Sequence, residues 1–254
     1  MNLEIALAGL VAGIMIGISG MGGGSLITPM MIFVLQVPPL IAVGTDLLLG
    51  AITKSVGAFQ HYRLGNVDLK VTKTLLSGSI PGAISGLILL RILPSINFYS
   101  VDKLIKQLLG VILILVAIGL LYPRIWQNIE KLKNSKSEAT QKRIVQIFSY
   151  FVGFFVALTS VGSGSLFVPF LLAFYPISIT QVVGIDVFHG AILSLVASLG
   201  HIASGDINLT LLTNLLIGSL PGVMLGSKLS SLFPKRFVQL ILALMLTISG
   251  LKLL

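Results

Sequence analysis

The stretch GISGMGGGSLITP, at residues 17–29, places five glycines inside a hydrophobic segment. A second stretch, ALTSVGSGSLFVP, occurs at residues 157–169, at an offset of 140 residues. The same offset aligns further positions without a gap: Gly44 with Gly184, Asp46 with Asp186, His61 with His201, Gly65 with Gly205, and Pro81-Gly82 with Pro221-Gly222. The chain is therefore built twice, and both copies are interrupted at matching places.

Composition indicates that both copies lie in a membrane. Of the 254 residues, 55% are hydrophobic and only 10% are charged, whereas a soluble domain carries about 25% charged residues. The predicted hydrophobic segments are 3–18, 25–36, 40–60, 71–92, 104–122, 144–159, 165–175, 180–200, 209–227 and 236–254. This pattern predicts an all-α polytopic membrane protein rather than a soluble domain with an anchor.

Charge and cysteine content exclude several classes of protein. The net charge is +9, but the basic residues lie mostly between hydrophobic segments, where they indicate membrane orientation and not nucleic-acid binding. The chain has no cysteine, which excludes disulfides, thiolate metal sites and cysteine nucleophiles. It also has neither a Gly-x-x-x-x-Gly-Lys-Ser/Thr phosphate loop nor a nucleophile–base set. We therefore expect no enzyme activity, no cofactor and no resident metal.

The first two segments of each copy are short, since a full crossing takes about 20 residues. Residues 3–36 as one broken helix would be roughly 50 Å long at about 1.5 Å per residue, against a hydrocarbon core of roughly 30 Å. A hairpin of half-helices also gathers the basic loops 61–73, 123–143 and 228–236 on one side. Length and charge both favour a hairpin over a single broken crossing.

The hairpin leads to a predicted topology. Each copy then contains a re-entrant half-helix hairpin plus three transmembrane helices, and this odd number of crossings makes the copies two inverted-topology repeats. We predict a first repeat at 1–122, a cytoplasmic linker at 123–143 and a second repeat at 144–254, with both termini outside.

The glycine breaks predict a binding site, because non-helical backbone at membrane depth must be buried in protein or line a cavity. Ser25 and Ser165 stand where an N-cap is expected, and the helix after each would point its free N–H groups toward the bilayer centre. The predicted substrate-binding residues are Gly22, Gly23, Gly24, Ser25, Gly162, Ser163, Gly164 and Ser165. The alternative, tight helix packing by small residues, suits Gly13, Gly17, Gly82 and Gly86.

Two charged residues in the segment 40–60 are further candidates, since charge inside a membrane span is costly. Asp46 and Lys54 share one helical face. Lys54 would supply positive charge to an anion, and the alternative is a structural ion pair with Asp46. Thr45, next to Asp46, is included in the predicted binding site. The repeat partner of Lys54 is Ser194, so the predicted site is asymmetric.

The second copy offers a different pair. Asp186 and His189 are three residues apart on one predicted helix, so a titratable imidazole stands near a carboxylate. His189 aligns with Leu49 in the first copy. For Asp46, Asp186 and His189 two roles stay open: carrying coupling protons, or bracing the broken backbone beside them.

At these residues the sequence resembles the sulfite exporter TauE/SafE family, also called the toluene sulfonate uptake permease family. The resemblance rests on residues 17–25, Pro29, the runs Val43–Asp46 and Val183–Asp186, the turns Gly65–Asp68 and Gly205–Asn208, and the two Pro-Gly pairs. It covers essentially the whole chain. In the second copy Ser160 and Ser163 stand where the first has glycine. The resemblance implies a multi-pass transporter of the cell (inner) membrane for small organic or sulfur-containing anions.

Residues and resemblance together predict a secondary transporter, an exporter of sulfite, a sulfonate or sulfoacetate by alternating access around a midplane anion site. The expected partners are the small anionic substrate and the lipid bilayer, with no nucleic acid, and a homo-oligomer stays open. The alternatives are an anion or small-solute channel, and a permease for another organic anion or a metal ion. A metal permease needs several His, Cys or carboxylate ligands together.

Overall fold

A computed structural model describes residues 2–19, 24–93, 101–122, 137–229, 232 and 234–254. Within those ranges all regular structure is helical, and we number ten α-helices in chain order. They are α1 (Leu3–Ser19), α2 (Gly24–Phe33), α3 (Pro39–Arg63), α4 (Leu69–Ile92), α5 (Val101–Leu121), α6 (Glu138–Thr159), α7 (Phe167–Phe174), α8 (Ile179–Ser204), α9 (Leu209–Leu229) and α10 (Lys235–Leu253).

Seven of these helices are long and apolar enough to cross a membrane, namely α3, α4, α5, α6, α8, α9 and α10. The prediction of an all-α polytopic membrane protein is confirmed at this level. In the first copy α1 has 17 residues and α2 has 10, both below the usual length of a crossing.

The length of α6 differs from the prediction. The apolar segment 144–159 was expected to be a half-helix, but α6 has 22 residues and belongs to the seven candidate spans. The cause is local: Ser137 has extended backbone, and its side chain accepts a hydrogen bond from the Thr140 N–H, which satisfies a free donor at the helix start. The helix therefore begins in polar sequence, before the hydrophobic part.

Matching turns connect the long helices of each copy. Asp68 caps α4 by accepting hydrogen bonds from the backbone N–H groups of Lys70 and Val71. Gly205 ends α8 in the left-handed region at φ 79°, and its repeat partner Gly65 has φ 72°. Glycine adopts this conformation without steric cost, which is why it is the usual residue after a helix.

Small residues bring four helices into close pairs across the two copies, α1 with α9 and α4 with α6. At each contact a side chain on the glycine would run into the backbone of the facing helix. The facing pairs are Gly9–Leu215, Gly13–Ser219 and Gly17–Val223 between α1 and α9, and Gly78–Gln146, Gly82–Tyr150 and Gly86–Phe154 between α4 and α6. The packing interpretation of Gly13, Gly17, Gly82 and Gly86 is thus confirmed.

These contacts also give helix directions. Residue numbers rise together along α1 and α9 and along α4 and α6, so the helices of each pair run parallel. They change in opposite senses along α3 and α8, which pack side by side and run antiparallel; the contacting pairs are Gly44–His201, Gly50–Ser194 and Gly57–Val187. Helices α4 and α8 run parallel, from Ser79–His189 to Leu87–Gly200.

Candidate functional site

Lys54 of α3 meets the second glycine break directly. Its Nζ donates a hydrogen bond to Ser163 Oγ at 2.7 Å, and Gly190 of α8 lies so close that an added Cβ would stand 3.0 Å from Nζ. Lys54 and Asp46 form no ion pair within 4.0 Å, so the alternative of a structural ion pair between them is not what the geometry shows.

The backbone of the second break is non-helical where Lys54 meets it. Gly162 and Gly164 both have positive φ, 124° and 88°, conformations that glycine tolerates best. Ser165 is 6% exposed, and its Oγ has no hydrogen-bond partner. A buried hydroxyl without a partner is uncommon and could donate to a bound oxyanion. The segment therefore places a buried hydroxyl without a partner and a glycine-dependent turn beside the Lys54 ammonium.

Asp186 braces this break from α8. Its Oδ1 accepts a hydrogen bond from the Gly164 backbone N–H at 3.0 Å. The predicted donor at Gly164 is thus already engaged, and the bracing interpretation of Asp186 matches the contact.

His189 does not hydrogen-bond to Asp186. Its Nε2 lies 2.8 Å from Ser79 Oγ on α4, and the Phe167 ring stands edge-on to the imidazole at 4.5 Å between centroids. The residue is fully buried, and its Nδ1 has no partner. The carboxylate–imidazole contact that the three-residue spacing allowed is absent, because the ring points to the neighbouring helix.

Asp46 lies in a separate cluster, about two helical turns before Lys54 on α3. Its Oδ2 lies at hydrogen-bond distance from two hydroxyl oxygens, 2.7 Å from Thr28 Oγ1 of α2 and 2.6 Å from Ser160 Oγ. Ser160 directly follows α6 and has left-handed backbone, φ 60°. Asp46 therefore links the first copy to the second break.

The two breaks touch each other at this point. A Cβ on Gly24, the first residue of α2, would clash with the Ser160 backbone oxygen, so glycine is needed for the approach. Gly22 and Gly23, the other predicted glycines of the first break, lie outside the described residues.

Thr45 points away from this centre. Its Oγ1 accepts a hydrogen bond from the backbone N–H of Asn208, in the turn before α9. The contact ties α3 to the opposite copy and gives Thr45 a structural task in this conformation.

The expected N-caps were wrong at both breaks. Helix α2 already includes Ser25 as its second residue. Helix α7 begins at Phe167 with Leu166 as N-cap, and no side chain caps it. The sequence reasoning also missed Thr28 and Ser79, whose hydroxyls hold Asp46 and His189. Each is a polar residue inside an apolar segment, and that contrast was the available signal.

The described helices offer no group of three or more His, Asp or Glu side chains placed to hold a metal ion. What they offer is a half-buried lysine, several buried hydroxyls and two buried carboxyl groups between interrupted helices. Seven candidate spans around such a polar centre define the class of protein as a multi-pass membrane transporter. The model of the sulfite exporter TauE/SafE family matches residues 5–253, and the chain belongs to this family.

Similar chains bear the name "Probable membrane transporter protein". YjnA of Bacillus subtilis (strain 168) is 37% identical, covering 100% of both chains. YdhB of the same organism is 27% identical over 98% of this chain and 99% of its own, and YunE is 24% identical over 97% and 94%. No solved structure matches the chain. The chain is thus a membrane transporter and not an enzyme.

Proposed function

We propose that the protein is a secondary transporter that exports a small sulfur-containing anion, such as sulfite, a sulfonate or sulfoacetate. The observation that carries this proposal is the 2.7 Å contact between Lys54 Nζ and Ser163 Oγ in the second glycine break. An oxyanion would take over the ammonium and the Ser163 hydroxyl, and the unpartnered Ser165 hydroxyl would add a donor. The family name points to sulfite.

The pattern of helix contacts supports two inverted repeats. Each helix has a repeat partner at an offset of 140 residues. Replacing both helices by their repeat partners converts the α1–α9 contact into the α6–α4 contact, and in the α3–α8 and α5–α10 contacts the two helices simply exchange places. The same replacement at the level of residues converts the contact Gly50–Ser194 into the contact Gly190–Lys54. A mutual exchange of this kind is expected of a two-fold relation between the halves. Lys54 then lies near the pseudo-symmetry axis, at the depth where both halves meet.

Helix direction supports the return of the chain at the second break. Helices α6, α4 and α8 run the same way, so residues 160–178 between α6 and α8 return toward the side where α6 begins. Helix α7 lies in this returning limb. The re-entrant limb is thus eight helical residues preceded by irregular backbone, and it carries Ser163 and Ser165.

The proposed orientation follows from charge. We place the linker 123–143 in the cytoplasm, because the basic residues near it, together with those at 61–73 and 228–236, then satisfy the positive-inside rule. Both termini lie outside, in a cell (inner) membrane. Alternating access would move the two halves, 1–122 and 144–254, about the Lys54 site.

Anion binding by purified protein tests the proposal. We expect thermal stabilisation by sulfite, with sulfate, sulfoacetate and lactate ranking the substrate class, because a ligand of the folded state raises its apparent stability. Lys54→Met should lose at least about tenfold in sulfite affinity, since a desolvated charge-assisted bond contributes roughly 1.5–3 kcal/mol. Lys73→Met, at an exposed lysine of α4, is the matched control. Equal affinity in both variants would remove Lys54 from the site.

The channel alternative makes a different prediction for the same protein. A channel gives flux that does not saturate and does not exchange labelled for unlabelled anion, whereas a transporter gives both. The half-buried ammonium of Lys54 favours a binding site over an open pore, because it is held by Ser163 of the second break and is not left free in an open channel.

A further inference from the structure

A carboxyl oxygen of Asp46 and two hydroxyl oxygens form a closed triangle of short contacts. Thr28 Oγ1 lies 2.7 Å from Asp46 Oδ2, Ser160 Oγ lies 2.6 Å from the same Oδ2, and the two hydroxyl oxygens are 2.7 Å apart. The three residues are 0%, 3% and 6% exposed in the order Thr28, Asp46, Ser160. We call this set the Asp46 triangle.

The number of protons decides the charge of Asp46. Each side of the triangle has the length of an O–H···O hydrogen bond, so each needs a proton between its oxygens. A hydroxyl supplies one proton, and an ionised carboxylate supplies none. With Asp46 ionised, the two hydroxyls serve only two of the three sides. A proton on Oδ2 serves the third, and each group then donates once and accepts once around the ring.

A metal cation does not fit the same spacing. Octahedral ligands at about 2.0–2.1 Å from Mg²⁺ lie roughly 2.9 Å apart, and ligands of Ca²⁺ lie farther apart. The oxygens of the Asp46 triangle are closer than that, at 2.6–2.7 Å. Their separation matches hydrogen bonding.

The charged groups near Asp46 are consistent with a protonated carboxyl group. Besides Asp46, α3 carries Lys54, His61, Tyr62 and Arg63. Helix α8 carries Asp186, His189 and His201, with Asp206 after it, and the start of α5 carries Asp102, Lys103 and Lys106. Lys54 is engaged with Ser163, and His201 donates or accepts at Ala157 O and stands 3.6 Å from Asp206. The parts of α2, α6 and α9 that reach Asp46 present no titratable side chain. An ionised carboxylate would therefore be buried there without an ion pair, which is costly.

The equivalent carboxyl group of the second copy has a different environment. Asp186 accepts one backbone N–H, from Gly164, and the repeat partner of Thr28 is Val168, which has no hydroxyl. A single N–H donor suits an ionised carboxylate. The proton count thus distinguishes Asp46 from Asp186.

We propose that Asp46 is a proton-binding site, protonated in this conformation, whose proton is coupled to the movement of the anion. This rests on the proposed function, because the coupling runs through the segment 160–165. The Asp46 triangle holds that segment at Ser160, and the anion site holds it at Ser163, three residues further on. Release of the proton breaks one side of the triangle and frees the second break from Thr28 of α2. Proton and anion therefore act on the same short segment.

Infrared spectroscopy of the purified full-length protein tests the proton without any substrate. A protonated carboxyl group has a C=O stretching band that an ionised carboxylate lacks. We expect this band at neutral pH in the wild type, its loss in Asp46→Asn, and its retention in the matched control Asp186→Asn. Thr28→Val should shift the band to higher frequency by removing one hydrogen bond, which keeps the test valid if Asp46→Asn folds poorly. Absence of the band, or its loss in Asp186→Asn alone, would overturn the proposal.

Coupling is measured separately, with sulfite as the probe in proteoliposomes. An imposed pH gradient should drive sulfite accumulation in the wild type and fail to drive it in Asp46→Asn. Gradient-driven accumulation in that variant would overturn the coupling. The two proposals can fail separately. If the carboxyl band is present but sulfite does not bind, the proposed substrate is wrong. If sulfite binds but the band is absent, the proposed proton site is wrong.

Discussion

Asp46 and Asp186 occupy equivalent positions in the two copies, yet they hold the second glycine break by different chemistry. Asp46 reaches Ser160 as part of a hydroxyl triangle that includes Thr28, whereas Asp186 accepts the backbone N–H of Gly164. On the proposal made above, the contact of Asp46 depends on a bound proton and that of Asp186 does not. Both contact a single segment of six residues, 160–165, so the second break is held by one carboxyl group from each copy.

Other paired positions differ in the same way. His189 bonds to Ser79, but the repeat partners of these residues, Leu49 and Ser219, form no such bond, and the Ser219 hydroxyl has no partner. In contrast, the glycines that pack α1 on α9 are matched by those that pack α4 on α6. The comparison indicates that backbone packing has stayed alike in both halves while the polar centre has become asymmetric.

The largest effects are expected where the halves are alike. Gly82→Leu on α4 and Gly222→Leu on α9 should each destabilise the fold by about 3 kcal/mol or more, because a side chain would enter the backbone of the facing helix. The measurement is the amount of monodisperse protein and its melting temperature. Gly65→Ala is the control, since nothing lies within 4 Å of an added Cβ there, and only its positive φ is strained. A strong effect at one glycine and none at its partner would break the proposed equivalence.

An intermediate effect is expected at Asp186. Asp186→Ala leaves the buried Gly164 N–H without an acceptor, which should cost about 1–3 kcal/mol of unfolding free energy. Asp186→Asn should recover most of it, because the amide oxygen still accepts the bond. Chemical denaturation of the three proteins in detergent checks this. If Asp186→Asn is as unstable as Asp186→Ala, negative charge and not hydrogen bonding is what the break requires.

The smallest effect concerns His189. His189→Leu makes the second half resemble the first and leaves the Ser79 hydroxyl unpaired, at a cost of about 1 kcal/mol. The double variant with Ser79→Ala should be more stable than His189→Leu alone, since it removes the unpaired hydroxyl. A double-mutant cycle measures the coupling between the two side chains. A coupling energy near zero would show that the Ser79–His189 bond contributes nothing to stability.

Several features were predictable from sequence because they depend on local composition. The helical segments follow from hydropathy, and the packing role of Gly13 and Gly82 follows from the small size of glycine. Lys54 could be identified because a charge inside a span is rare. Its contact with Ser163 of the other copy was not predicted as a pair, since spacing along one helix carries no information on which segment lies opposite.

The remaining features depend on tertiary contacts or on helix ends. Thr28 lies in a short apolar helix, and its hydroxyl reaches Asp46 only because α2 packs beside α3. Helix α6 starts early because Ser137 caps it, whereas Ser25 lies inside α2 and no side chain caps α7. Similarly, the separation of Asp186 from His189 is set by the position of α4, which brings Ser79 to the imidazole.

Counterflow of labelled sulfite in proteoliposomes tests the central claim most directly. Vesicles loaded with unlabelled sulfite should accumulate the label transiently and saturably when they contain the wild type or the control Lys73→Met. Lys54→Met should lose this counterflow by at least about tenfold, in line with the loss of one desolvated charge-assisted bond. Undiminished counterflow in well-folded Lys54→Met would contradict an anion site built on Lys54 and the second glycine break.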